Sequence, residues 1–498
     1  MNALQTLVKE AEVAPVAPPL LPELDPPLYA ARKRIYPQSV QGTFRRIKWA
    51  VLFVTLGIYY LLPFVRWDRG PDAPSQAVLI DFPNSRFYFF FIEIWPQEVY
   101  YITGLLILAA LVLFLMNAVA GRVWCGYLCP QTVWTDLFQT IERFWEGDRR
   151  EHLQRDRQPW SLDKAWRSAG KHFTWLMVAW WTGGAWVLYF ADAPTLMREL
   201  ATGTAPFAAY LWIGILTFTT YVLAGHMREQ VCVYMCPWPR IQGALTDEYA
   251  FNVTYRYDRG EPRCSLKKHG QLRAAGKPAG DCVECMQCVY VCPTGVDIRG
   301  GANFGCIQCG LCIDACDNIM SKLGRPTGLI GYETDLNIKA RMQGAPVTRN
   351  VVRPRTAIYA ALIVGIGAVM LYALATRDVT GIAVIHDRNP LYVQLAGGGV
   401  RNAYTIRLSN KEPEPRNFIL TFDGIGQYDI EIVGEADRSI TVGPDQTREV
   451  RALVSTKERL PPRASLPVTF TIIDEKTGER TIIHSFPTRR SSDRKSVV

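Results

Sequence analysis

At 498 residues the chain is longer than one ordinary domain, and 49% of it is apolar, with 14 Trp, 22 Tyr and 21 Phe. Its net charge of +9 is concentrated beside apolar runs, so it reads as a membrane-topology signal and gives no reason to invoke nucleic acid. The 13 cysteines all lie between Cys125 and Cys316, which argues against a disulfide framework and for metal ligation by reduced thiols.

Residues 1–46 read as a cytoplasmic, partly disordered tail. The first 30 are Pro-rich and contain no apolar stretch ahead of a small-residue site, so no cleavable signal peptide is expected. Residues 47–225 carry four nearly charge-free windows, at 47–65, 100–120, 172–191 and 205–225, and a fifth follows at 356–376. Each approaches the length of about 20 residues needed to span a bilayer. Buried core helices are the weaker reading, because uncharged runs this long are rare in soluble cores.

The second connection (121–171) holds nine Lys or Arg, whereas the first (66–99) holds three and the third (192–204) one. Together with Arg32, Lys33, Arg34, Arg45, Arg46 and Lys48, this bias places the N-terminus and the second connection in the cytoplasm. Five spans then put 226–355 in the cytoplasm and the C-terminal region outside.

Two connections begin with the same motif. WCGYLCP and VCVYMCP give C-x-x-x-C-P at Cys125/Cys129 and at Cys232/Cys236. Residues four apart share a helix face, and Pro130 and Pro237 disfavour helix at the preceding cysteine, so each helix should stop or kink there. Four soft sulfur ligands beside the inner face suit Cu(I), zinc or an iron–sulfur centre; plain buried thiols are the competing reading. His172 and His226 also lie near inner span ends, where two imidazoles can ligate a b-type haem, but neither has a supporting motif. His152, His269, His386 and His484 read as solvent or loop residues.

The cytoplasmic segment 226–355 holds the densest run. Cys282, Cys285, Cys288 and Cys292 form C-x-x-C-x-x-C-x-x-x-C-P; Cys306, Cys309, Cys312 and Cys316 repeat it, with Asp317 in place of proline. This is the bacterial ferredoxin spacing, in which the fourth cysteine of each run ligates the other cluster. One 4Fe–4S cluster is therefore expected on Cys282, Cys285, Cys288 and Cys316, and a second on Cys292, Cys306, Cys309 and Cys312. Zinc sites fit poorly, because they come as C-x-x-C pairs separated by a longer gap. The ferredoxin domain should occupy about 264–333, with Cys264 outside both runs as an unliganded thiol.

After the fifth span the pattern changes to short alternating stretches separated by turns, among them YTIRLSN, NFILTFDG, REVRALVS and LPVTFTIID. About seven such strands across 377–486 imply a small β-sandwich. The expected fold class is thus an α-helical membrane protein with five transmembrane helices, a two-cluster 4Fe–4S ferredoxin domain and a C-terminal β-sandwich. The basic, Ser-rich end, 487–498, shows no strand pattern.

The span order, the two C-x-x-x-C-P motifs and the paired cluster motifs resemble the CcoG/FixG/RdxA family, most strongly in WCGYLCPQTVWTDLFQTIE and REQVCVYMCPWPRIQGALTD. The family consists of membrane-anchored polyferredoxins, accessory proteins of cbb3-type cytochrome c oxidase. The resemblance covers roughly residues 30–485 and departs at 487–498. It implies an immunoglobulin-like outer domain, residence in the bacterial inner membrane and reduction of Cu(II) to Cu(I) for oxidase maturation. It makes Cys125, Cys129, Cys232 and Cys236 the expected copper-handling, catalytic thiols. The implied partners are the membrane, oxidase assembly factors or oxidase subunits, a cytoplasmic electron donor and a second copy of the chain. The activity is then that of a cupric-reductase-type oxidoreductase or of a pure electron carrier. A quinol-linked NapH-like membrane ferredoxin is the main rival, and a non-enzymatic assembly scaffold a third reading.

Overall fold

The computed structural model describes residues 34–485 apart from 71–72, 348–349, 378–379, 391, 396–397, 413, 425–427, 436–437, 445, 457–467 and 479. Of the expected tails, residues 1–33 of 1–46 and all of 487–498 lie outside the described residues.

Among the described residues four helices are long and apolar enough to cross a membrane. They are α1 (Thr43–Leu61, extending to Phe64), α2 (Tyr100–Ala120), a helix that starts at Phe207 and runs to Met227, and a last one at Pro354–Ala375. Their large apolar side chains face outward: Phe53, Leu106, Phe218 and Val364 are each about two-thirds exposed or more. A soluble domain would bury such side chains; in a bilayer they contact lipid. The first connection contains an unexpected antiparallel sheet of β1 (Val78–Asp81), β2 (Arg86–Phe89) and β3 (Ile92–Ile94).

The second connection folds as α3 (Val123–Tyr127), α4 (Pro130–Glu146) and α5 (Arg149–Arg157). The window at 172–191 lies largely within α6 (Leu162–Val187). This helix is rich in Trp, Gly and Thr and is not one of the four that qualify by hydropathy, so five spans are not all equally evident. The two ends of α6 touch different parts of the molecule. Near its start Lys171 pairs with Glu146 of α4 at 2.8 Å. Beyond its end, the Leu188 and Tyr189 carbonyls accept bonds from Gln76 and from the Ile80 N–H of β1, both at 2.8 Å. After a short α7 (Ala193–Thr202), α8 (Phe207–Thr220) returns against α6.

The cysteine-rich segment is framed by a two-stranded ladder, β4 (Asn252–Tyr255) against β5 (Ile330–Glu333). It contains α9 (Trp238–Leu245) before the ladder and, between its strands, α10 (Gln287–Tyr290) and α11 (Leu311–Lys322). This domain is tied to the membrane helices at a defined point. The Asp314 carboxylate of α11 accepts the Phe44 and Arg45 N–H groups at 3.1 and 2.8 Å, so it satisfies first-turn amides of α1 from another domain.

After α12 (Asp335–Met342) and α13 (Pro354–Ala375), the C-terminal domain has two sheets. One runs β10 (Tyr428–Ile432), β12 (Gln446–Thr456), β8 (Val400–Asn410), β6 (Thr380–His386), with β7 (Val393–Gln394) on β8. The other runs β11 (Ser439–Val442), β9 (Arg416–Gly424), β13 (Val468–Asp474), β14 (Arg480–Ser485). Alternate residues of both meet in one core, including Tyr404, Leu408, Phe418, Leu420 and Phe470. The expected stretches form strands over their described residues, and β6 and β7 add to them.

Candidate electron-transfer site

Each cysteine run folds into a tight loop, and the two loops repeat one backbone pattern. Glu284 and Met286 in the first, and Gln308 and Gly310 in the second, all have left-handed φ values of 54°, 59°, 56° and 74°. These are the second and fourth positions after Cys282 and after Cys306. Alternating left- and right-handed residues turn successive N–H groups toward one centre, a concavity that suits an anionic sulfur-bound group. Val296 N–H points at Cys292 Sγ at 3.3 Å.

Two cavities result. Cys282, Cys285, Cys288 and Cys316 line one, with Tyr255, Met320 and Ile330 around them. Cys292, Cys306, Cys309 and Cys312 line the other, and Cys288 lies in the wall between. The fourth cysteine of each run has thus crossed to the other run's cavity, carried there by α11 for Cys316 and by the turn after α10 for Cys292. Burial pushes the thiols of Cys288, Cys306 and Cys316 up to about 12. Without a cation these groups would remain neutral S–H. Four sulfurs, apolar walls and inward N–H groups fit a 4Fe–4S cluster in each cavity. Cys264 is buried beside the first loop, with its N–H 3.4 Å from the Cys282 carbonyl.

The C-x-x-x-C-P motifs break where proline predicts. Cys125 sits in α3, and Cys129 is extended (φ −62°, ψ 126°) before Pro130 opens α4. Cys232 sits in a wide helical turn, and Cys236 is extended (φ −80°, ψ 123°) before Pro237 and α9. The wide turns are i→i+5: Arg228 N–H bonds to Leu223 O and Cys236 N–H to Val231 O, both at 2.8 Å. Such turns recur at functional sites.

All four thiols share one neighbourhood. Burial pushes Cys125 up to about 11 and Cys232 up to about 12; Cys129 and Cys236 act on both, and Cys125 also acts on Cys232. Among the described residues, however, the one group of three or more ligand atoms within 4.8 Å of one another is Glu142, Glu146 and His152.

The C-x-x-x-C-P loop of α3 packs on the second cluster loop. A Cβ on Gly126 would lie 2.8 Å from Ile307 O and 3.0 Å from Cys309 Cα. Tyr127 Oη donates to Cys309 O at 2.9 Å, and Arg122 N–H donates to Gln308 Oε1 at 2.8 Å. Cys125 Sγ donates to Gln242 Oε1 at 3.4 Å. Arg122 also reaches the Phe304 carbonyl. Gly126, Tyr127, Arg122 and Gln242 were not singled out from sequence as site residues. Their signal is only proximity to a cysteine motif.

The histidines depart from expectation. His152 and His269 are buried, not solvent residues. His172 and His226 do come together, with ring centroids 5.7 Å apart. Trp175 and Tyr221 crowd the pair, at 5.3 and 6.0 Å and at 6.1 and 5.1 Å from the two imidazoles.

Comparison with known proteins finds three family models along the chain. A 4Fe–4S dicluster domain matches residues 227–335, a 4Fe–4S binding domain matches 102–146, and the Ig-like fold at the C-terminus of FixG, a putative oxidoreductase, matches 370–486. The nitrogen fixation protein FixG of Rhizobium meliloti is 48% identical over 86% of this chain and 87% of its own length. Protein RdxA of Cereibacter sphaeroides is 48% identical over 90% of this chain and 93% of its own. A crystal structure of a FixG-related protein from Vibrio parahaemolyticus aligns at 20% identity and a TM-score of 0.20, covering 23% of this chain and 98% of that one.

Proposed function

Because this chain belongs to the FixG/RdxA family of membrane iron–sulfur electron-transfer proteins, we propose that it carries electrons from a cytoplasmic donor to thiols at the inner membrane face. There Cu(II), the substrate, takes one electron and leaves as Cu(I) for assembly of a cbb3-type oxidase. Oxidase assembly factors or subunits are the receiving partners. The protein crosses the inner membrane five times, with its N-terminus and ferredoxin domain cytoplasmic and the β-sandwich periplasmic. The separate contacts at the two ends of α6 support α6 as the fifth crossing.

Cys282, Cys285, Cys288 and Cys316 would hold one 4Fe–4S cluster, and Cys292, Cys306, Cys309 and Cys312 the other. When bound, these clusters supply one-electron storage, which suits a one-electron substrate. The protein's own part is placement. Gly126 lets the membrane cysteine loop approach the Cys309 backbone, and Tyr127 fixes that approach by a hydrogen bond. Gln242 Oε1 accepts a hydrogen bond from the Cys125 thiol and so orients it. Cys125, Cys129, Cys232 and Cys236 offer soft sulfur, which favours Cu(I) over Cu(II).

The observation that carries this reading is the direct seating of the Cys125–Tyr127 loop on the Ile307–Cys309 loop. The experiment is anaerobic purification followed by Cu(II) reduction. Changing Cys125, Cys129, Cys232 and Cys236 to Ser should lower the rate at least tenfold with iron content unchanged. Gly126→Val, which forces the loops apart, should also slow reduction with iron retained. Full copper reduction by the four-serine protein would remove copper handling from these thiols.

A further inference from the structure

A cavity of about 500 Å³, lined by none of the cysteines, lies between Arg34 and Ile35, α5, the first half of α6 and the turn Gly225–Glu229. Its size is that of a small-ligand pocket. Its floor is aromatic: the His172 and His226 rings are within 17° of parallel, and the Trp175 ring stands edge-on to both. Trp160 stands at the mouth, 76% exposed.

The rim is cationic. Arg155 and Arg167 donate to the Trp145 carbonyl, and Lys164 donates to the carbonyls of Asp156 and Gln158. Arg167 also pairs with the exposed Asp163. The deeper carboxylates are already matched. Glu146 meets Lys171 and His152, each at 2.8 Å, and Asp156 meets Arg34 at 2.9 Å. Glu142 meets Arg228 at 2.7 Å and Arg34 at 3.2 Å. These pairs also disqualify Glu142, Glu146 and His152 as a cation site, because the positive charge a metal would bring is supplied by Arg and Lys. Six Lys or Arg and three carboxylates line the cavity. Counting Glu142 and Asp163, which pair Arg228 and Arg167 from outside the lining, six cations meet five carboxylates. The small positive excess sits at the rim with Arg155 and Lys164, so an anion is the favoured guest.

We propose that this cavity binds a phosphorylated, planar aromatic ligand of the nucleotide class, with its ring against His172, Trp175 and His226 and its phosphate against Arg155, Lys164 and Arg167. Guanidinium forks match phosphate geometry, and aromatic floors take flat rings. The position is informative. Ile35 walls the cavity, and its Cδ1 lies 2.8 Å from where a Cβ on Gly295 would be. One side chain therefore separates the cavity from the loop that follows Cys292. Nucleotides with a redox-active ring are accordingly the first to test.

The test titrates FMN and NADH separately into the detergent-solubilised full-length protein by calorimetry, with no copper present. One of the two should bind with a dissociation constant below about 100 μM. Lys164→Glu with Arg167→Glu should weaken that binding at least tenfold, and added pyrophosphate should compete. Trp160→Ala, an exposed change that spares the fold, should weaken it by a smaller factor. Lys267→Glu with Lys268→Glu, on a surface away from the cavity, should leave it unchanged. Absence of binding by both nucleotides overturns the proposal, as does binding that ignores the rim changes. Native mass spectrometry showing an anionic phospholipid held by wild type, lost in the rim variant and undisplaced by nucleotide also overturns it. Because binding is read without copper, failure here leaves the copper assay standing, and the reverse.

Discussion

Glu146 shows how single residues hold the inner face together. Burial alone would raise its pKa, but hydrogen bonds from His152 and Lys171 bring it down to about 2 from an ordinary 4.5. A carboxylate with a lowered folded-state pKa stabilises the fold above its unfolded value and loses that contribution as pH falls through the folded one. The share due to Glu146 should therefore be complete above about pH 4.5 and vanish toward about pH 2. Glu146→Gln should flatten this part of the stability profile and, by leaving buried Lys171 unpaired, cost about 3 kcal/mol near neutrality. Denaturant unfolding followed by tryptophan emission, compared between the two proteins at each pH, measures both. A variant whose profile parallels wild type from pH 5 to pH 3 would show that Glu146 holds no linked proton.

At the scale of elements, the cluster loops are where local chain chemistry is most exacting. Gly310 has φ 74°, and a Cβ there would lie 2.7 Å from the Phe44 ring. The matching position in the first loop is Met286, which tolerates φ 59° at some cost. Gly310→Ala should thus combine backbone strain with a clash against α1, for a loss of about 1–3 kcal/mol. Thermal unfolding and acid-labile sulfide content read it out, and Met286→Ala, which removes no glycine and meets no such clash, should lose less. The cysteine spacing made these loops legible in advance, because the run itself dictates which sulfurs converge. The sandwich strands were legible for a similar reason: period-two patterns such as LPVTFTIID bury alternate residues against a facing sheet. The β1–β3 sheet was not. Its strands are three or four residues long, too short for alternation to stand out. Helix α6 sits between these cases. Its Trp, Gly and Thr weaken the hydropathy signal of a helix that still leaves Phe173 and Trp180 half-exposed or more. The approach of Gly126 to Cys309 had no signature at all, since it joins residues far apart in the chain.

For the whole molecule, two networks of contacts sort the segments into two groups. Arg34, α4, α5, the start of α6 and the ferredoxin domain are linked by Arg34–Glu142, Lys171–Glu146, Arg45–Asp136 and the Asp314 cap. The β1–β3 connection, the end of α6 and the sandwich are linked by Gln76 to Leu188, Arg66 to Asp192, Arg377 to the Glu93 carbonyl and Lys411 to Glu98 at 2.5 Å. Every segment joining one group to the other must cross between them. On the proposed topology helices α1, α2, α6, α8 and α13 do so in turn, and the odd number would leave the ferredoxin domain and the sandwich on opposite faces. Four crossings would require the Lys411–Glu98 or the Lys171–Glu146 contact to form through a bilayer. The expected outcome is opposite labelling. In inner-membrane vesicles of known orientation, a maleimide that cannot cross lipid should react with a cysteine introduced at Glu449 only from the periplasmic face. One introduced at Lys322 should react only from the cytoplasmic face. Reaction of both from a single face would mean that α6 lies along the membrane surface rather than through it, and the inner-face assignment of the thiols would have to be rebuilt on four spans.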